Sequence, residues 1–318
     1  MTGERGAIAG GFSSAVRAAL LAGMLLASAG CAERYLHNAQ DSFSKGAAIE
    51  NLAVFGDPGG AVDRSAPAPE PLTGGAVIYY VDAREHVRKA LTKERSALDK
   101  QKLTGSAYAL LAIVSWRLDD LQGPADGDSA GDPCETQNHR RCAENSAKLA
   151  ADLLAQQPFL KRDRFTMAIL PGLLDHNRGL QKTAATPMNA GADFQSAFQN
   201  IGRGFAIIEP VMPISGKPLT TEQSLKVYGL IAQYQVLRAW SAAMTRASLP
   251  GVPPDQALTS QQRASCKAIL RTKWAPLVTS NVAAVDPGGQ VVLPSVRTSF
   301  ERAIGDLNPG TEPCPWTL

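Results

Sequence analysis

The sequence predicts an all-α protein, a helical bundle or irregular array of helical hairpins, on three observations. Apolar residues recur at three- and four-residue spacing in one segment after another of the 318-residue chain, as amphipathic helices require. Two segments open with the T-x-x-Q spacing of a capping box, Thr220 with Gln223 and Thr259 with Gln262. In that device each side chain satisfies an amide that the first helical turn leaves orphaned. The short apolar runs that could form strands, "FAII" at 205–208 and "QVVL" at 290–293, lack a partner run of hairpin character. Alanine is abundant, and charged residues make up 19% of the chain, below the average of roughly 25%, which suits closely packed helices.

Residues 1–30 read as an export signal. Arg5 and Arg17 stand against one acid, Glu4, and "AALLAGMLLASA" at 18–29 carries no charge. A basic start, a short apolar run and small residues at its end describe such a signal. The run is well short of the roughly 20 residues a transmembrane helix needs. Residues 31–56 follow as a first helix, with Leu36, Ala39, Phe43, Ala47, Ile49 and Leu52 on an apolar stripe. Gly56 and Pro58 stop it, and residues 57–75, rich in glycine and proline, read as a linker or loop.

Residues 76–318 then form the helical domain. "AVIYYVDAREHVRKAL" places Val77, Val81, Arg84, Val87 and Leu91 at helical spacing. "GSAYALLAIVSWRLDDLQG" is apolar around most of its circumference and is expected at the centre of the domain. After the loop "ADGDSAGDP", helices are expected at "RRCAENSAKLAADLLAQQ", "FTMAIL", "LLDHNRGLQ" and "ADFQSAFQNIGRGFAIIE". The capping boxes open helices at 220–247 and before "RASCKAILRTKW", and a last helix is expected in "PSVRTSFERAIGDL".

The stretch "SAGC" at 28–31 resembles the bacterial lipobox: Ala29 and Gly30 match its small positions, Cys31 matches its lipidated position, and Ser28 replaces the usual leucine. The resemblance implies a diacylglycerol on the Cys31 thiol, cleavage before it, and acylation of the new amine. Ala32 and Glu33 stand where an aspartate would retain such a protein in the inner membrane, so the implied place is the periplasmic face of the outer membrane. The implied partners are membrane lipid, through acylated Cys31, and an envelope protein. "ALLAIVSWRLDDLQGPA" looks like parts of tetratricopeptide-type hairpins, without the glycine and tyrosine that usually follow the tryptophan and without a fixed period near 34 residues.

Beyond Cys31 stand Cys134, Cys142, Cys266 and Cys314, an even number that suggests disulfides in an exported protein. Proximity pairs Cys134 with Cys142, which leaves Cys266 with Cys314. Reading Cys134, His139 and Cys142 as metal ligands offers only three groups at irregular spacing. No metal and no cofactor is therefore expected. Without residues 1–30 the net charge is about +2 with both signs interspersed, which gives nucleic-acid binding no support.

Motifs that chemistry demands are sparse. G-x-S-x-G and H-E-x-x-H are absent, and "SGKP" around Lys217 has no upstream glycine at phosphate-loop spacing. "SFSK" fits the S-x-x-K pattern of penicillin-binding enzymes, in which Lys45 would activate the Ser42 hydroxyl one helical turn away. Its companions are missing: there is no S-D-N, and "KTA" at Lys182 departs from K-T-G. His37, His86, His139 and His176 are read as exposed helix or loop residues, Trp116 and Trp240 as core, and Trp316 as packing where the tail is pinned. No catalytic residue is assigned. The expected function is that of a non-enzymatic, lipid-anchored helical scaffold. A Ser42/Lys45 cell-wall acyltransferase or hydrolase and a small-ligand binder are the alternatives.

Overall fold

The computed structural model describes residues 30–55, 70–123, 131–136, 138–215, 219–289, 300–302, 304 and 310–316. The export-signal segment 1–29, most of the linker and the "QVVL" run lie outside the described residues, as does most of the last expected helix. The protein is all-α, with ten α-helices and no strand among the described residues. They are α1 Cys31–Phe55, α2 Glu70–Lys93, α3 Arg95–Lys100, α4 Thr104–Gln122 and α5 His139–Leu154, followed by α6 Lys161–Ala185, α7 Ala190–Gly204, α8 Thr221–Arg246, α9 Ser260–Ile269 and α10 Ala275–Val285.

Consecutive long helices pack as antiparallel hairpins. In the first, the Gly46 backbone of α1 lies against the Tyr80 ring of α2, and Gly75 lies beside Ile49. In the second, Gly105 at the start of α4 meets Leu153 and Leu154 at the end of α5. The third, α6 with α7, crosses closely because small residues remove the side chains that would hold the backbones apart. A Cβ on Gly172 would sit 2.7 Å from the Ala197 carbonyl oxygen, and one on Gly179 would sit 2.7 Å from the Phe194 ring. Neither distance is tolerable for real atoms, so glycine is required at the crossing.

The largest core spans α4 to α10 around Trp240, Phe165, Phe194, Ile169, Ile201 and Tyr234, all essentially inaccessible to water. Burying one such side chain contributes about 1.5–3 kcal/mol. Two smaller apolar clusters bind α1 and α2 to α4: one contains Leu36, Val87, Leu98 and Leu111, the other Phe43, Tyr80, Val114 and Leu118. Helix α4 is therefore covered on several sides, which explains why its sequence has no polar face.

Both expected capping boxes form. The Thr220 hydroxyl accepts from the Gln223 amide at 3.2 Å while the Gln223 side chain accepts from the Thr220 amide at 2.9 Å, and Thr259 with Gln262 repeats the arrangement. Other boundaries differ from expectation. Residues 70–75, expected in the linker, open α2, since proline is tolerated in a first helical turn and pairing with α1 outweighs the low propensity of Gly74 and Gly75. "FTMAIL" and "LLDHNRGLQ" belong to one helix, α6, which runs through Pro171 under the packing of α7. The segment after Cys266 winds through a π-helical turn, Leu270–Trp274, that seats the buried Trp274 ring 5.7 Å from that of Trp240, and then continues as α10. "FAII" is not a strand: Phe205–Ile207 form a 3₁₀ turn at the end of α7. The short α3 had no sequence-level signal.

Candidate functional site

The cysteines give the clearest arrangement. Cys134 and Cys142 stand at disulfide distance with Cα atoms 4.8 Å apart, and Cys266 and Cys314 likewise at 4.9 Å. The first pair staples the loop before α5 to that helix's first turn. The second fixes the tail along α9, where the Ser265 hydroxyl donates to the Glu312 carbonyl at 2.6 Å and the Trp316 ring is buried against Gly191. Cys31 is the one cysteine left as a free thiol; it is exposed and is the first residue of α1. Its neighbour Ala32 is already buried, so the packed body begins one residue after it.

The structure does not bring Ser42 and Lys45 together. Ser42 is buried, and its hydroxyl donates to the Asp82 carboxylate of α2 at 2.5 Å. Lys45 turns instead to Asp41 at 2.6 Å, which raises the pKa of its amine, the opposite of what a general base needs. Asp82 also reaches His86 at 3.5 Å. That order, hydroxyl to carboxylate to imidazole, puts the imidazole at the wrong end for a serine triad, in which histidine sits between the other two.

Two histidines expected at the surface are buried. His139 is 5% exposed at the start of α5 and His176 is 7% exposed, with its ring 6.0 Å from that of Phe194. His139 lies on the same face of α5 as Cys142, Ala143, Ser146, Ala147, Ala150 and Leu154, a stripe whose helical spacing is present in the sequence. Burial, and then the neighbouring Arg84 guanidinium 3.0 Å from Nδ1, pulls the His139 pKa down to about 4. The neutral ring accepts from Arg84, so its remaining proton is on Nε2. With Cys134 and Cys142 paired and His139 bonded to arginine, these three do not form a ligand set. Among the described residues no cluster of three or more His, Cys, Asp or Glu side chains could hold a metal ion.

Several buried polar assemblies were not legible from spacing, because each joins distant segments. Arg117, 10% exposed at the side chain, donates to Glu50 from α1 and pairs with Asp120 at 2.8 Å, while the Tyr80 hydroxyl also donates to Glu50. Burial, and then the Glu50 charge, pushes the Tyr80 hydroxyl far above its ordinary range, so it remains a donor. Asp119 accepts from Arg140 at 3.0 Å and Asn177 at 3.3 Å, joining α4, α5 and α6. Every cation here meets a carboxylate of the same chain, and the arrangement cross-links helices rather than presenting a reactive group.

A cleft of about 470 Å³ opens between the loop after α7, α8 and α10, lined by Glu209, Pro210, Val211, Lys226, Asn281 and Val285. Lys226 is 4% exposed; its ammonium pairs with Glu209 at 2.8 Å and lies 3.8 Å from the centre of the Phe205 ring. The cleft has a mostly apolar wall beside one ammonium neutralised by Glu209. Sequence reading missed it because Glu209 and Lys226 belong to different elements. Comparison with protein-family models, with curated proteins and with solved structures finds no match to this chain.

Proposed function

We propose that the chain is a lipoprotein of a bacterial cell envelope, anchored through acylated Cys31 and presenting a non-enzymatic helical domain to another envelope protein. The observation that carries the reading is the order of basic, apolar and small residues ending at Cys31. Two structural features support it. Cys31 is exposed where the packed body starts, and the other four cysteines are engaged in pairs. Acyl burial contributes about 0.8 kcal/mol per CH₂, so two or three chains hold the protein durably where one would be marginal. No helix among the described residues is long and apolar enough to cross a membrane, so attachment of the described body would rest on the lipid.

Ala32 and Glu33 after Cys31 favour the outer membrane. The arrangement of Ser42, Asp82 and Lys45 weighs against the cell-wall enzyme. The test is Cys31→Ser: metabolic labelling with fatty acid should be lost and the precursor should stay uncleaved. A variant that matures normally, or a native protein without label, refutes the reading. Ala32→Asp is a poor probe of sorting, because Ala32 is 1% exposed and an aspartate there would also disturb packing against Leu36 and Leu98.

A further inference from the structure

The end of the molecule that carries Cys31 has a composition and geometry of its own. Two turns and the start of α1 meet there through side-chain hydrogen bonds. Gln101, between α3 and α4, donates to Glu33 of α1 at 3.0 Å, and Gln157, between α5 and α6, donates to the Lys102 carbonyl at 3.3 Å. The end of α2 joins them, since Val87 and Ala90 share one apolar cluster with Ala32, Leu36 and Leu98. Cys31, Lys93, Lys100, Lys102 and Phe159 therefore occupy neighbouring positions, and all five are exposed.

Phe159 is 73% exposed, an unusual position for a large aromatic side chain on a turn. Lys102 has φ 59°, the only positive φ at a non-glycine among the described residues, and side-chain-bearing residues rarely adopt it. Of the acids nearby, Asp99 pairs with Arg95 and Glu222 with Lys161, whereas Glu33 and Asp163 bond to the neutral Gln101 and Ser106. Exposed Arg34 adds a further positive charge, while Glu94 and Asp152 offset part of the total. An exposed aromatic beside outward lysines matches the chemistry of a bilayer surface, where aromatic rings settle among headgroups and ammonium groups face lipid phosphates.

We propose that this end, built from the turns at 93–103 and 155–160, lies against an anionic phospholipid surface, with Phe159 at the headgroup boundary and Lys93, Lys100 and Lys102 facing the phosphates. The inference rests on the anchored reading for its biological setting, but the surface can be tested without the anchor. With Ala32 buried directly after Cys31, no tether separates the body from the lipid, and an anchored domain would be held with this face toward the bilayer. The exposed Leu249, beside Pro187 at the opposite ends of α6 and α8, would then be left to the periplasm.

The test uses the unacylated chain from residue 31 onward, which keeps every described residue but Gly30, mixed with vesicles. One set is phosphatidylcholine and the other contains roughly a third phosphatidylglycerol. Co-sedimentation should favour the anionic vesicles and weaken with salt, since the surface charges are screened. Hydrogen exchange should slow in the turns at 93–103 and 155–160. Each lysine near such a surface is worth about a fivefold change in affinity, so Lys100→Gln with Lys102→Gln should weaken binding about twenty-five-fold. Phe159→Ser should also weaken it, while Leu249→Ser at the far end of α8 should not, with unchanged thermal melts for all three. Equal binding to both vesicles, variants that bind like the unsubstituted chain, or protection confined to other segments overturns the proposal. The mass of the Cys31 peptide from native membranes decides the anchor separately. An unmodified cysteine alongside retained vesicle binding refutes the anchor and supports the surface, whereas an acylated cysteine with indifferent variants does the reverse.

Discussion

Acidification should unlock the start of α5 through one imidazole. His139 has an ordinary pKa of 6.5, held down to about 4 by burial and by Arg84, so the folded protein binds fewer protons than the unfolded chain across that window. Its contribution to stability is therefore present in full above about pH 6.5 and is lost as pH falls through the window toward 4. A tenfold loss of proton affinity corresponds to about 1.4 kcal/mol, so the contribution comes to about 2–3 kcal/mol after allowance for solvent screening at the edge of the site. Protonation of Nδ1 removes the acceptor for Arg84 at 3.0 Å and sets two cations face to face. The assay is the denaturant midpoint measured between about pH 7 and pH 4 for the native protein and for His139→Gln, which keeps an acceptor for Arg84 but does not titrate. Carboxylates begin to protonate below about pH 5, so the difference between the two proteins is the quantity to read. The native protein should lose about 2 kcal/mol more than the variant. Parallel acid profiles, or an imidazole that titrates near 6.5 by NMR, would refute the reasoning.

Arg117→Met should destabilise the fold by about 3–5 kcal/mol in chemical denaturation, because it leaves Glu50 and Asp120 partly buried without their cation. A cost below about 1 kcal/mol would show that water already compensates those carboxylates. Opening the Cys266–Cys314 pair with Cys314→Ser should cost about 4 kcal/mol and opening Cys134–Cys142 with Cys134→Ser about 2.5 kcal/mol, since the separations are 48 and 8 residues and loop entropy grows with length. Thermal melts under oxidising conditions check the order, and the reverse order would mean that local packing outweighs chain entropy.

The features legible in the sequence are those set by neighbours along the chain. The helix starts at Thr220 and Thr259 were readable because a capping box closes within four residues. Helix α4 was readable as central because a segment covered on several sides has no polar face to display. The cysteine pairing followed from an even count and proximity, and the proposed lipid attachment at Cys31 rests on local order alone. Periodicity failed where a tertiary contact overrides local preference. Pro171 and Gly172 read as a break, yet α6 continues through them because Gly172 admits the α7 backbone at a crossing that a side chain would block. His139 and His176 read as surface residues because histidine is polar, yet His139 falls at helical spacing with the buried Ala143, Ala147 and Ala150.

The sequence by itself determined the helical class, the two best-capped helix starts and the cysteine pairing, and it alone carries the proposal that Cys31 is an anchor. Only the tertiary structure decided that Ser42 bonds to Asp82 rather than to Lys45, and that Lys226 and Glu209 share a cleft. It alone decided that Phe159 emerges beside Lys102 at the Cys31 end. The physical reason is range: helix propensity, caps and export signals act over one or two turns of chain. A charge pair or a cleft is assembled from side chains that lie in different elements of the chain, and only packing brings them to the same place.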